Sequence, residues 1–198
     1  MDKPIWVWKL GGSLLDLADF PRRLETALDL YPHRPLLIIG GGGLADEVRR
    51  WDQRFEIGEA KSHDLALHAM ALNEQLISVV WPRSTLVADR TLAQEAWRIG
   101  RVPVLQTSVF LKAEESRHQT ESSSIAALPH TWDATSDTIA AWITLRWPAE
   151  GLLLLKSIDR PTGELGDAVD PMFSRFSEQI DAFEWLNLRT VEPSPRRL

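Results

Sequence analysis

The sequence predicts an α/β protein, a three-layer α/β/α sandwich on a mainly parallel central sheet. Three observations predict it. Short apolar runs at residues 5–9, 36–39, 102–105 and 152–156 alternate with segments of helical spacing, an order that places helices on both faces of a parallel sheet. Two of these runs lead directly into glycine turns, Gly11-Gly12 and Gly40-Gly41-Gly42-Gly43. A third segment, from Trp132 to Ala141, reads as the start of a helix with an acidic residue in its first turn. Ligands on such sheets bind beyond the carboxyl ends of the strands, and both glycine turns fall on that edge.

Each element follows in order. Residues 5–9 form a short buried strand. Residues 19–30 have helical spacing at Phe20, Leu24, Ala27 and Leu28, and the turn Tyr31-Pro32-His33-Arg34-Pro35 stops that helix. The run 36–39 is apolar throughout, as a central parallel strand is. Residues 44–51 open a helix out of the four glycines. Ser62 is placed to cap a longer helix reaching Val80, with Leu65, Ala69, Leu72, Leu76 and Val80 along one stripe. A weak strand at 86–88 precedes a helix at 91–99, ended by Gly100, and then the strand 102–105. Residues 112–124 are polar, charged and serine-rich, and are predicted to form a mobile loop or lid. A helix at 136–146 is capped by Thr135 or Ser136. The strand 152–156 is the most buried of all, and a helix at 174–183 and a last strand at 185–188 follow. No repeat or linker divides the chain, so residues 1–191 are expected to form one domain, with 192–198 a loose tail.

Composition limits the function. The chain has 198 residues, 44% hydrophobic and 25% charged, the balance of an ordinary globular protein. A net charge of −6 argues against a non-specific nucleic-acid binder, so any phosphate-binding positive charge is local. With no cysteine, disulfides, thiolate catalysis and cysteine metal sites are excluded. The start, Met1-Asp2-Lys3-Pro4, lacks a basic and apolar leader, and no apolar run reaches membrane-spanning length, so a cytoplasmic protein without a membrane partner is expected. Of nine tryptophans, most are expected in the core or an interface and one or two at a ligand site.

The chemistry concentrates in a few residues. Lys9 ends the first strand just before Gly11-Gly12, where an ammonium can meet phosphate oxygens and offset charge that builds in phosphoryl transfer. The alternative is a strand-end lysine reaching solvent. Four consecutive glycines, Gly40 to Gly43, suit unusual dihedrals or close ligand approach; the alternative is a generous turn. Neither run has the Walker or the dinucleotide spacing. Asp137 either caps its helix or orients Lys9 and Lys156 by holding the two cations near each other. Lys156, followed by Ser157 and Asp159, ends the strand 152–156; its stem can also simply snorkel. His63, Asp64 and His68 open one helix, with Asp64 and His68 on one face, and are read as acceptor lining rather than metal ligands. His130 and Trp132 flank the Asp137 segment and can close over a small aromatic or cationic ligand. No Gly-x-Ser-x-Gly elbow supports hydrolase chemistry.

Taken together these motifs resemble the amino acid kinase superfamily. Lys9-Leu10-Gly11-Gly12-Ser13 is similar to its first glycine loop and Ile39-Gly40-Gly41-Gly42-Gly43 to its second. Thr135-Ser136-Asp137-Thr138 resembles its helix-opening aspartate motif, and Leu155-Lys156-Ser157-Ile158-Asp159 its nucleotide-side strand. Ser62-His63-Asp64 with Asn73, the run Leu128 to Asp137, and Val169-Asp170-Pro171 look like the branch that phosphorylates 5-(aminomethyl)-3-furanmethanol phosphate on the way to methanofuran. The resemblance implies transfer of the γ-phosphate of ATP to a substrate phosphate, giving a diphosphate, with Mg²⁺ brought by the nucleotide and no dedicated metal site on the protein. It implies catalytic roles for Lys9, Asp137 and Lys156, nucleotide or phosphate contacts from Gly11, Gly12, Ser13, Ser157 and Asp159, and an acceptor site formed by Gly40, Gly41, Gly42, Gly43, His63, Asp64, His68, His130, Trp132 and Asp133. A small phosphorylated molecule is the implied partner, and a homo-oligomer is compatible with it. Two other functions stay open: a kinase for a nucleoside or isoprenoid monophosphate, and a non-catalytic phospho-ligand sensor on the same fold.

Overall fold

Side-chain alternation along the first strand, β1 (Ile5–Leu10), divides the protein into two cores, one on each face of the sheet. The computed structural model describes residues 3–118, 124–147 and 149–192. With β2 (Arg34–Ile39), β3 (Ser84–Val87), β4 (Val102–Leu105), β5 (Gly151–Lys156) and β6 (Phe183–Asn187), β1 forms a sheet ordered β3-β4-β2-β1-β5-β6. Every pairing is parallel. The α/β fold is therefore as expected, with a sheet that is parallel throughout.

The helices are α1 (Phe20–Leu30), α2 (Gly42–Phe55), α3 (Glu59–Val80), α4 (Arg90–Arg98), α5 (Thr107–His118), α6 (Ser136–Arg146) and the single turn α7 (Ser174–Ser177). Val7, Leu36, Ile38, Leu152 and Leu154 pack against Ala96 of α4, Phe110 of α5, Trp142 of α6 and Phe176 of α7. On the other face Trp6, Trp8, Leu37, Ile39, Leu153 and Leu155 pack against Leu24 and Ala27 of α1 and against Trp81. Each fully buried leucine of β5 contributes roughly 1.5–3 kcal/mol relative to an exposed one. Helix α3 serves both cores, through Leu67 and Met70 on one side and Ile77 on the other.

The same alternation positions two lysines. Lys9 lies two residues beyond Val7, and Lys156 two beyond Leu154, so both side chains leave the sheet on the face that α6 covers. β1 and β5 are neighbours with Lys9 opposite Leu154, which brings both ammonium groups to the carboxyl edge of the sheet.

Three helices differ from expectation. Residues 112–118 belong to α5 rather than to a mobile loop. Only its first turns are apolar, with Phe110 and Leu111 buried, and its later part is held by charge instead. The carboxylate of Glu114 is buried and pairs at 2.8 Å with each of Arg90, Arg117 and Arg146. An ion-pair anchor leaves no apolar periodicity to read. Residues 119–123 lie outside the described residues, as do 193–198 of the expected tail. Helix α3 starts at Glu59 after Gly58, whose φ is +89°, so Ser62 is buried within the helix rather than capping it. The stripe Leu72, Leu76 and Val80 faces outward, while His63, Leu67, Met70, Asn73, Glu74 and Ile77 turn inward. Helix α3 is apolar on opposite sides, so periodicity alone does not select the buried one. Finally, the segment after Ser177 leaves the helix and passes into β6, which starts at Phe183.

Candidate active site

Helix α6 presents Asp137 in its first turn, directly over the two strand-end lysines. Its Oδ1 lies 2.8 Å from Lys9 Nζ and its Oδ2 2.6 Å from Lys156 Nζ. Lys156 also donates to the Ala168 carbonyl at 2.7 Å. Lys9 and Asp137 are each 4% exposed, so a group of two cations and one anion sits almost out of water. Burial opposes the charge on Asp137, but the two ammonium groups outweigh it and hold the carboxyl below its ordinary value. Burial, reinforced by Lys9, lowers Lys156 below the ordinary lysine value, and Asp137 opposes that shift. Lys9 and Lys156 share the one carboxylate they touch, and Asp170 also acts on Lys156, so the ammonium groups keep hydrogen-bond donors to spare at the edge where the glycine loops meet. A phosphate oxygen is their natural complement.

The capping role of Asp137 falls to another residue. Neither Thr135 nor Ser136 caps α6 with its own side chain. Asp170 reaches in from the loop after β5, and its Oδ2 accepts from the backbone N–H groups of Asp137 and Thr138, both at 2.9 Å. Its Oδ1 accepts from the Thr135 hydroxyl. Asp170 therefore fixes the turn that carries Asp137, and Asp137 is free to serve the lysines.

The glycine turns pack on each other, backbone to backbone. A Cβ on Gly12 would lie 2.2 Å from Gly42 N and 2.8 Å from the Gly40 carbonyl oxygen. Gly42 has φ +53°, a conformation only glycine adopts freely. These positions are glycine because the two loops touch, a reason distinct from ligand approach, whereas Gly43 faces open space. Gly11 N–H and Gly40 N–H extend the sheet by donating to Leu155 and Leu10 carbonyls, each at 2.9 Å. Buried Asn73 donates to the carbonyls of Gly40 and Gly41 at 2.8 and 2.9 Å, fixing the orientation of the second loop. Ser13 Oγ lies 3.2 Å from Ser157 Oγ, joining the first loop to the β5 end. Asp159 accepts from Asn187 at 2.8 Å.

Beside the second loop is a cavity of about 160 Å³ bordered by Gly41, Gly42, Arg49, His63, Met70, Trp132 and Ile139, among others. Arg49 lies 4.6 Å over the Trp132 ring, and Trp132 Nε1 donates to Asp52 at 2.7 Å. The cation on this tryptophan thus comes from the protein itself. His63 is 5% exposed and stacks on His130, with ring centroids 4.6 Å apart. His130 Nε2 lies 2.7 Å from Glu115. Burial, with His130 beside it, pushes His63 down to about 4, so its imidazole is neutral. Asp64 and His68 are exposed and do not border the cavity, because they lie on the solvent side of α3. Asp133 is also exposed and contributes its carbonyl to Met172 N–H. His130 supports the wall from behind through His63. A second, wider cavity of about 970 Å³ joins Arg49 and Trp132 to Asp137, Lys156 and the loop from Glu164 to Pro171.

Of the expected residues, the structure thus brings together Lys9, Asp137, Lys156, both glycine turns, Ser13, Ser157, His63 and Trp132. Arg49, Asn73 and Asp170 join them.

No protein-family model matches the chain, and neither does any curated protein. Solved structures do match. UMP kinase from Bacillus anthracis superposes with a TM-score of 0.54 at 11% identity, over 83% of this chain and 70% of that one. UMP kinase from Ureaplasma parvum gives 0.53 at 12% identity, over 81% and 69%. The chain shares its fold with these UMP kinases. At such identities the likeness is one of fold. Among the described residues no helix is long and apolar enough to cross a membrane.

Proposed function

We propose that the protein is an ATP-dependent phosphotransferase acting on the phosphate of a small acceptor to give a diphosphate. The observation that carries this reading is Asp137 held between buried Lys9 and partly buried Lys156 where two glycine loops meet. An acceptor phosphate oxygen attacks the γ-phosphorus of ATP, the bond from that phosphorus to its bridging oxygen breaks, and ADP leaves with the electron pair. Lys9 and Lys156 offset negative charge on the moving phosphoryl group, and Asp137 keeps the two cations together without mutual repulsion. The attacking oxygen is already ionised, so no general base is needed. Mg²⁺ carried on the nucleotide phosphates would offset part of their negative charge, beside the two lysines.

For the acceptor we propose 5-(aminomethyl)-3-furanmethanol phosphate. A cavity of about 160 Å³ is small beside the roughly 300–1,000 Å³ of sites for larger ligands, and so suits a compact single ring. Arg49 and the second loop border it on the phosphate side of the proposal. A second reading, a nucleoside monophosphate, is favoured by the fold shared with UMP kinases. The deciding experiment measures ADP release and kcat/KM with ATP, Mg²⁺ and each of the furan phosphate, UMP and isopentenyl phosphate. The furan phosphate is expected to lead. A clear lead for either rival replaces it, and binding without turnover of any acceptor makes the protein a phospho-ligand sensor.

A further inference from the structure

His63 is a wall residue of the acceptor cavity, 5% exposed, with a buried Nε2 that has no hydrogen-bond partner. No other buried polar side-chain atom among the described residues of that wall is left in this state. A buried nitrogen without a partner costs stability unless something else meets it. Its chemistry is fixed by its surroundings. The ring donates to the Thr131 backbone, and burial keeps it neutral. With Nδ1 carrying the proton, Nε2 presents a lone pair and can only accept. The parallel ring of His130, itself tied to Glu115, holds the plane of the imidazole. Met70, Leu67 and Ile139 of the remaining wall offer no donor, and none of its donor-bearing residues, Arg49, Thr131, Trp132, Thr135 and Ser136, hydrogen-bonds Nε2.

We propose that His63 recognises an N–H or O–H donor on the acceptor, so that the cavity selects small phosphomonoesters carrying such a group over isosteres that lack it. This rests on reading the cavity as the acceptor site. It assigns the histidine to specificity: the residue acts by accepting a hydrogen bond and takes no part in the transfer.

The test reads binding without ATP, so that it stands apart from turnover. Calorimetry compares 5-(aminomethyl)-3-furanmethanol phosphate with its 5-methyl analogue, and 4-(aminomethyl)benzyl phosphate with 4-methylbenzyl phosphate. In the wild type, the amine of at least one pair is expected to bind about 10- to 100-fold more tightly, the range of one hydrogen bond to a charged donor. His63→Phe, which keeps a ring for the stack, should lower the amine to the level of its methyl partner. His63→Gln, with an amide oxygen to accept, should recover part of the preference. Equal or absent binding within both pairs, or a preference that survives in His63→Phe, overturns the proposal. If His63→Phe does not fold, the ¹⁵N resonance of Nε2 in the wild type decides: it should move with the amine and not with the methyl compound, and no such difference overturns the proposal. A protein that discriminates the amines yet never turns over ATP retains this inference and loses the kinase reading.

Discussion

A carboxylate between two buried ammonium groups cannot lose its charge without consequence for folding. Asp137→Asn would leave Lys9 and Lys156 facing each other with no anion, the situation in which breaking a buried pair costs about 3–5 kcal/mol. For a chain of this length each kcal/mol is worth roughly 2–4 °C, so a fall on the order of 10 °C in Tm is expected in the free protein. Tripolyphosphate or ATP should restore much of it, because an anion then takes the place of the carboxylate. A mutant that melts with the wild type would mean the lysines find other partners. Lys9→Ala is the opposite case. It leaves one cation with one anion, a balanced pair, so the fold should survive while phosphoryl transfer falls by roughly 100-fold or more. Measured turnover within a few-fold of wild type would remove Lys9 from the transfer step. These three residues were legible in the sequence because each sits at an element end, where apolar runs stop. Asn73 and Asp170 figure there only within the motifs that carry the resemblance, without a role, and Arg49 not at all, because each acts on a segment far away in sequence and leaves no periodic trace. Asp170, for example, caps a helix that begins 34 residues earlier.

At the scale of elements, α6 depends on a borrowed cap. Asp170→Ala would leave the N–H groups of Asp137 and Thr138 without their acceptor, a loss of about 0.5–2 kcal/mol, or roughly 1–8 °C in Tm. Because Asp137 lies in that same turn, the rate of transfer should fall further than stability alone explains, with kcat affected more than the KM of the acceptor. A purely thermal effect, with unchanged kcat below Tm, would show that α6 holds its geometry without the cap. The helices also show where sequence patterns succeed. Helix α1 has one apolar side, and its buried residues Phe20, Leu24 and Ala27 are among those its spacing predicts. Helix α3 has two apolar sides, and the choice between them is made by α2, α5 and the sheet rather than by the helix itself. Helix α5 is anchored by Glu114 and three arginines, so its composition reads as a polar loop although the backbone is helical. Packing partners carry that information, and a local window does not contain them.

The fold as a whole was legible because strands buried on both faces, such as β5, are apolar without interruption, and because parallel neighbours need crossover helices. What that pattern omits is the pair of buried titratable groups on α3, whose effects extend to the stability of the entire molecule. Glu74 is 2% exposed; burial pushes its carboxyl up to about 7, against the opposing hydrogen bond from Thr107 N–H at 3.1 Å. Its folded-state value is raised, so the folded form holds a proton that the unfolded form releases above about 4.5. Its contribution is complete below 4.5 and is lost as pH rises to about 7. His63 has the reverse sign. Its value falls from 6.5 to about 4, so the unfolded form holds the extra proton and stability increases as pH rises through that window. The two slopes cancel between about 4.5 and 6.5, leaving the wild type nearly flat there apart from its other carboxylates. Each group alone is worth roughly 3 kcal/mol across its window. Thermal melts across pH should therefore separate two single variants. Glu74→Gln removes the falling slope and should gain stability steadily from pH 4.5 to 6.5, while His63→Phe removes the rising slope and should lose stability over the same range and on to pH 7. Parallel profiles for the two variants would mean that these groups are not the ones that set the pH response.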